Sequence, residues 1–102
     1  MSALTSDVVV IGAGIGGLSS AALLAARGYQ VTLVEKEQWA GGKARSVDVD
    51  GARVDGGPTV FTLRDVFDGI FRSAGAELDD FVTMRRAQVL ARHAWDDVSH
   101  LD

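Results

Sequence analysis

The run Val8-Val9-Val10-Ile11 leads directly into Gly12-x-Gly14-x-x-Gly17, and this junction limits the fold more than any other stretch of the chain. Consecutive β-branched residues favour a strand, and an apolar strand without alternation is one covered on both faces. Each glycine then has its own reason. Gly12 allows the tight turn, Gly14 lets the backbone approach a phosphate, and Gly17 lets the next helix pack closely on the strand. Backbone N–H groups at a helix start receive an anion. Residues Gly12, Gly14, Ile15, Gly16 and Gly17 are therefore the candidate cradle for the pyrophosphate of a dinucleotide.

The segments on either side agree. Asp7 to Ile11 reads as the first strand, and a helix follows from about Ile15 to Arg27. Leu18, Ala21, Ala22 and Ala25 recur in it at helical spacing. The helix is apolar on almost every side, which calls for packing layers on both its faces. Gly28 stands where a left-handed cap belongs. Gln30 to Glu35 then reads as a second strand, parallel to the first through a right-handed crossover. It ends on Glu35, 18 residues beyond Gly17. A carboxylate there can accept the hydroxyl hydrogens of an adenosine ribose, with Lys36 beside it as a further candidate contact. The same charge repels a 2′-phosphate, which argues against an NADP-type ligand.

A second glycine pair follows in Gly41-Gly42-Lys43-Ala44-Arg45. Gly42 permits close backbone approach, and Lys43 and Arg45 offer positive charge to a phosphate or a carbonyl edge. On spacing alone, an ordinary turn before a hairpin remains the alternative. Trp39 reads as a packing residue. Ser46 to Val54 has the pattern of a β-hairpin closed by Asp50-Gly51. That turn sets Val49 against Ala52, Asp48 against Arg53 and Val47 against Val54, with the charged residues as a solvated pair. In Asp55-Gly56-Gly57-Pro58-Thr59, Gly57, Pro58 and Thr59 form either a bare turn or a backbone segment laid against a flat cofactor ring.

Beyond Thr59 the signals are structural. Leu63 to Ala74 reads as a helix with Asp65 in its first turn, Gly75 past its end, and an apolar stripe of Val66, Phe67, Ile70 and Phe71. Phe81 to Met84 and Val89 to Trp95 have the composition of short strands. Arg85-Arg86 reads as solvated loop, and the acids at 79–80 and 96–97 as turn residues. His93 and His100 are too isolated to suggest a metal site. Residues 96–102 look like a hairpin turn whose return strand is just beginning. A doubly wound sheet also needs more parallel strands than two, so the chain reads as truncated.

Composition excludes several classes. A net charge of −4 is a poor match for nucleic acid, and no cysteine is present for disulfides or thiolate ligands. Val8 to Ala26 carries no charge and nearly reaches the length of a membrane span, but its glycines, serines and β-branched start argue against one. Residues 2–7 lack the lysine or arginine of a secretory leader. The expected location is cytoplasmic.

Taken in series, Gly12-x-Gly14-x-x-Gly17, Glu35, Gly41-Gly42-x-x-Arg45 and Asp55-x-Gly57-Pro58 resemble the N-terminal part of the phytoene-desaturase-like flavoproteins, within the FAD-dependent amine oxidase superfamily. The run from Gly57 to Asp68, with Ala91 to Trp95, is similar to the bacterial hydroxyneurosporene or methoxyneurosporene desaturase subgroup, the 1-hydroxycarotenoid 3,4-desaturases. The resemblance covers nearly all of the chain but only about the first fifth of such an enzyme. It implies an α/β fold, a Rossmann-like FAD-binding βαβ unit followed by a hairpin, a helix and short strands in an incomplete sheet. Residues 1–102 would be the N-terminal part of an FAD/NAD(P)-binding domain. FAD would lie with its pyrophosphate on Gly12 to Gly17, its ribose on Glu35, Lys43 and Arg45 along the diphosphate, and Gly57 to Thr59 beside the isoalloxazine. Lys43 replaces an arginine common in relatives, and Asp97-Val98-Ser99 replaces an Asp-Gly-Ser turn.

The implied reaction is dehydrogenation of a carotenoid, a long apolar polyene. A hydride leaves an allylic carbon for the flavin and a proton leaves its neighbour, giving a conjugated double bond. Any peripheral attachment to the inner face of the cell membrane would use segments outside this chain. The alternatives are another amine-oxidase-type flavin oxidoreductase, or a dinucleotide-binding piece with no activity of its own.

Overall fold

A strand, a helix and a second strand in series bring the second strand back in the direction of the first, and this is the geometry of the N-terminal third. The computed structural model describes residues 5–102; residues 1–4, part of the stretch read for a leader, lie outside them. β1 (Val8–Ile11) pairs in parallel with β2 (Val31–Val34), with Val8 opposite Val31 and Ile11 opposite Val34. α1 (Ile15–Ala26) makes the crossover and ends on Arg27 and Gly28, the latter at φ 94°. The uncharged run Val8 to Ala26 is thus a strand, a turn and a 12-residue helix. No helix among the described residues is long and apolar enough to cross a membrane.

β3 (Ser46–Val49) and β4 (Ala52–Asp55) form the expected antiparallel hairpin, in the expected register. Asp50 at φ 50° and Gly51 at φ 82° supply the two left-handed residues of a type I′ turn. The charged pair behaves differently from expectation. Asp48 and Arg53 are opposite in register, but Asp48 accepts from the Gly51 N–H and the Arg53 guanidinium donates to Ser46 Oγ. For an exposed pair the Coulomb gain is small, so a local backbone partner competes well.

α2 (Arg64–Ser73) contacts α1, as its apolar stripe requires, with Phe67, Ile70 and Phe71 half-buried. A short 3₁₀ turn, Leu78–Asp80, follows and buries Leu78. Arg64 holds this pairing by reaching Asp68 on its own helix and Asp79 in the turn. The expected strand Phe81 to Met84 is absent. Phe81 instead packs on Phe71, ring centroids 5.4 Å apart, and the Val82 N–H donates to Leu78 O. Of the expected strand Val89 to Trp95 only β5 (His93–Ala94) forms, paired with β6 (His100–Leu101). The 96–99 segment is the turn between them, closed by the Trp95 N–H donating to Ser99 O and the Val98 N–H donating to Trp95 O.

The result is an incomplete α/β fold of three two-stranded sheets among the described residues. Its radius of gyration is 18.6 Å, well above the roughly 13 Å of a globule this long. β1 was expected to be covered on both faces, and it is not. Val10 faces α1, while Val9 and Ile11 are 58% and 87% exposed. α1 touches the sheet and α2, yet none of its residues is buried.

Candidate functional site

The glycine turn is held by its own backbone. The Gly12 N–H donates to Val34 O at 2.7 Å, extending the β1–β2 ladder into the turn. Gly14 is the N-cap of α1, with no side-chain cap, so the first N–H groups of the helix have no side-chain acceptor there. A Cβ on Gly12, Gly14 or Gly16 would meet nothing within 4 Å. A Cβ on Gly17 would lie 1.7 Å from Gly12 O. The first three glycines face open space and the fourth is a packing contact, a division of roles that suits a cradle beside a ligand.

Ala13, between the first two glycines, is 3% exposed and uses both its backbone groups on the segment after β2. Its N–H donates to Glu35 Oε2 at 2.7 Å, and its carbonyl accepts from the Gly41 N–H, also at 2.7 Å. The other Glu35 oxygen accepts the Glu37 N–H. These N–H groups, Ala13 first and Glu37 second, hold the Glu35 carboxyl below the ordinary glutamate value. A group whose folded value is depressed contributes stability above its unfolded value and loses it as pH falls through the folded one. The Glu35 contribution is therefore complete at neutral pH and fades below about pH 4.5. Glu35→Gln should remove that acid-side dependence, which melts recorded across that window would reveal; an unchanged pH profile would count against it.

Beyond Gly41 the chain turns back on the first loop. A Cβ on Gly42 would come within 3.0 Å of Gly14 Cα, so the two glycine loops are in contact. A Cβ on Gly57 would lie 1.7 Å from Lys43 O, and the Gly56 N–H donates to Arg45 O at 2.8 Å. Three loops, after β1, after β2 and after β4, therefore meet. Between them lies a cavity of about 790 Å³, within the usual range of roughly 300–1,000 Å³ for small-molecule sites.

Of the residues singled out in the sequence, Gly12, Glu35, Lys36, Gly42, Lys43, Arg45, Gly57 and Pro58 line this cavity. Gly14, Ile15, Gly16 and Gly17 belong to the turn and helix start behind it, and Thr59 lies outside the lining. Lys43 and Arg45 are exposed and make no ion pair among the described residues, which leaves both charges available to an anion. The lining also includes Ile11, Val34, Glu37, Trp39 and Gly56, which sequence reasoning did not select. Trp39, read as packing, is 48% exposed on this wall. The signal for Ile11 and Val34 was their place at the carboxyl ends of parallel strands, where ligands of open α/β sheets bind.

Comparison with known proteins agrees with this geometry. A model of the NAD(P)-binding Rossmann-like domain matches residues 10–73, from the end of β1 to the end of α2. The chain belongs to that family. Among curated proteins it is 62% identical over 91 residues, 89% of its length, to a hydroxyneurosporene desaturase of Rubrivivax gelatinosus. It is 48% identical over its whole length to a hydroxyneurosporene desaturase of Cereibacter sphaeroides. A 4,4'-diapolycopene oxygenase of Methylomonas sp is 39% identical over 93% of the chain. The matches cover 17%, 21% and 19% of those proteins, so the chain spans about a fifth of the length of the curated relatives it matches. The expected resemblance to carotenoid desaturases is thereby confirmed.

Proposed function

We propose that residues 1–102 form the N-terminal part of an FAD-binding domain, and that the full-length protein is an FAD-dependent carotenoid desaturase. The observation that carries this is the 62% identity to a hydroxyneurosporene desaturase over 91 residues of the chain. The donor set argues against NADP and suits FAD. Glu35 is an ionised carboxylate at the ribose position, which disfavours a 2′-phosphate by like charge. Lys43, Arg45, Gly57 and Pro58 extend the same cavity past the glycine turn, giving room and positive charge for a second aromatic half.

In this reading the N–H groups at the start of α1 receive the pyrophosphate, and Lys43 and Arg45 offset its charge. Glu35, fixed by Ala13 and Glu37, accepts the ribose hydroxyls. Lys36 lies beside it, and Gly57 and Pro58, with Thr59 next in the chain, form backbone against the flavin ring. Bound FAD supplies the two-electron acceptor for removal of H₂ from a polyene. The carotenoid cavity and any contact with the inner face of the cell membrane belong to segments outside these residues, in a protein we place on the cytoplasmic side.

The test is purification of the full-length protein. It should carry flavin identified as FAD, and convert a hydroxyneurosporene-type polyene to a product lighter by H₂. Glu35→Ala should weaken FAD retention by on the order of tenfold, through loss of a charged acceptor. A colourless protein that takes up NAD but no flavin would sink the proposal.

A further inference from the structure

Residues 35–41 form a strap fastened at both ends to one buried residue. The Glu35 carboxylate accepts the Ala13 N–H, and the Gly41 N–H donates to the Ala13 carbonyl, each at 2.7 Å. The strap therefore cannot drift from the glycine turn without breaking two hydrogen bonds at a residue only 3% exposed. Trp39 is carried on it and lines the cavity with 48% of its surface exposed. Its ring joins neither of the aromatic pairs among the described residues, both of which are Phe–Phe. Ile11 and Val34, opposite each other in register, add exposed apolar surface to the same lining.

We infer that Trp39 is the base platform of this site, its indole stacking on the adenine of the bound dinucleotide. The assignment rests on the dinucleotide reading above and follows from order along the ligand. The pyrophosphate lies at the start of α1 and the ribose at Glu35, so the base lies beyond Glu35, where the strap continues. Phosphate does not suit that stretch, because Glu35 and Glu37 both face the cavity there. A neutral, flat heterocycle does, since it can cover Ile11 and Val34 with its edge and offer a face to the indole. Base–aromatic stacking is worth enough to be measured by removing the aromatic ring.

The experiment uses ADP as the probe, because that half is common to FAD and NAD. In the full-length protein freed of bound nucleotide, calorimetry should show ADP affinity falling about tenfold in Trp39→Ala and Trp39→Leu. Trp39→Phe, which keeps a ring, should stay within about threefold of wild type. Unchanged ADP affinity in Trp39→Ala overturns the inference, as does an equal loss in Trp39→Phe, which would mean the ring's face is irrelevant. Failure of the flavin reading looks different: ADP affinity falls as expected in Trp39→Ala, while the wild type takes up no flavin. That result sustains the platform and sinks the desaturase proposal.

Discussion

Gly17→Ala should abolish dinucleotide binding and destabilise the βαβ unit by about 3 kcal/mol, the upper end of the usual overpacking cost. The added Cβ would stand 1.7 Å from Gly12 O and 2.9 Å from Gly12 C, with Val10 Cγ1 3.6 Å away. Two of those atoms are backbone, so no rotamer change relieves the collision. Either α1 lifts from β1 or the turn opens, and the N–H groups at the helix start lose their aim in both cases. Two neighbours serve as controls, since a Cβ at either meets nothing within 4 Å. Gly16→Ala, in the first turn of α1, should keep the melting temperature or raise it slightly, because alanine is the better helix former. Gly14→Ala should melt like the wild type yet bind the dinucleotide less well, since its methyl would enter the space proposed for the phosphates. Thermal melts and flavin content of the three variants test this. A Gly17→Ala protein with wild-type melting and full cofactor would refute it.

That contrast also shows what could be read from residues alone. The hairpin was legible to the residue pair, because Asp50-Gly51 selects one turn type and a period-2 pattern tolerates no slip. Gly28 and Gly75 marked helix ends for a similar local reason, both adopting positive φ. Glu35 was legible by spacing, but its attachment to Ala13 was not, since no pattern distinguishes a carboxylate that meets ribose from one already holding a backbone N–H. The strand expected at Phe81 to Met84 failed because composition describes a segment fit for a sheet without supplying a partner strand. Buried Leu78 and the Phe71–Phe81 contact gave those residues another place to go. Trp39, expected to pack, is 48% exposed on the cavity wall for the same kind of reason. An aromatic residue in a glycine-rich loop is packing or platform according to where the loop is pinned, and only the two hydrogen bonds to Ala13 reveal that.

Gly57→Ala should separate the two halves of the site. Its Cβ would lie 1.7 Å from Lys43 O, 2.8 Å from Lys43 C and 3.3 Å from Ala44 Cα, all three backbone atoms. Here the collision is between the third loop and the second, and the turn after β1 takes no part in it. The loop bearing Lys43 and Arg45 must move away from Pro58, so the end proposed for the flavin should lose its wall while the α1 start and Glu35 stay in place. The expected result is a protein that binds ADP about tenfold less well, because its phosphates lose the nearby charges of Lys43 and Arg45, but loses FAD by a hundredfold or more, taking the lost wall to be worth about 3 kcal/mol. Gly56→Ala is the control. Its Cβ would approach the Val47 side chain at 3.2 Å and no backbone atom closer than 3.7 Å, so a small shift of that valine can accommodate it. Parallel titrations with ADP and FAD decide the matter. Equal losses of both ligands in Gly57→Ala would mean that the three loops act as one unit and that the site cannot be divided, whereas a full flavin complement would mean that the approach of Gly57 to Lys43 has no part in holding the ring.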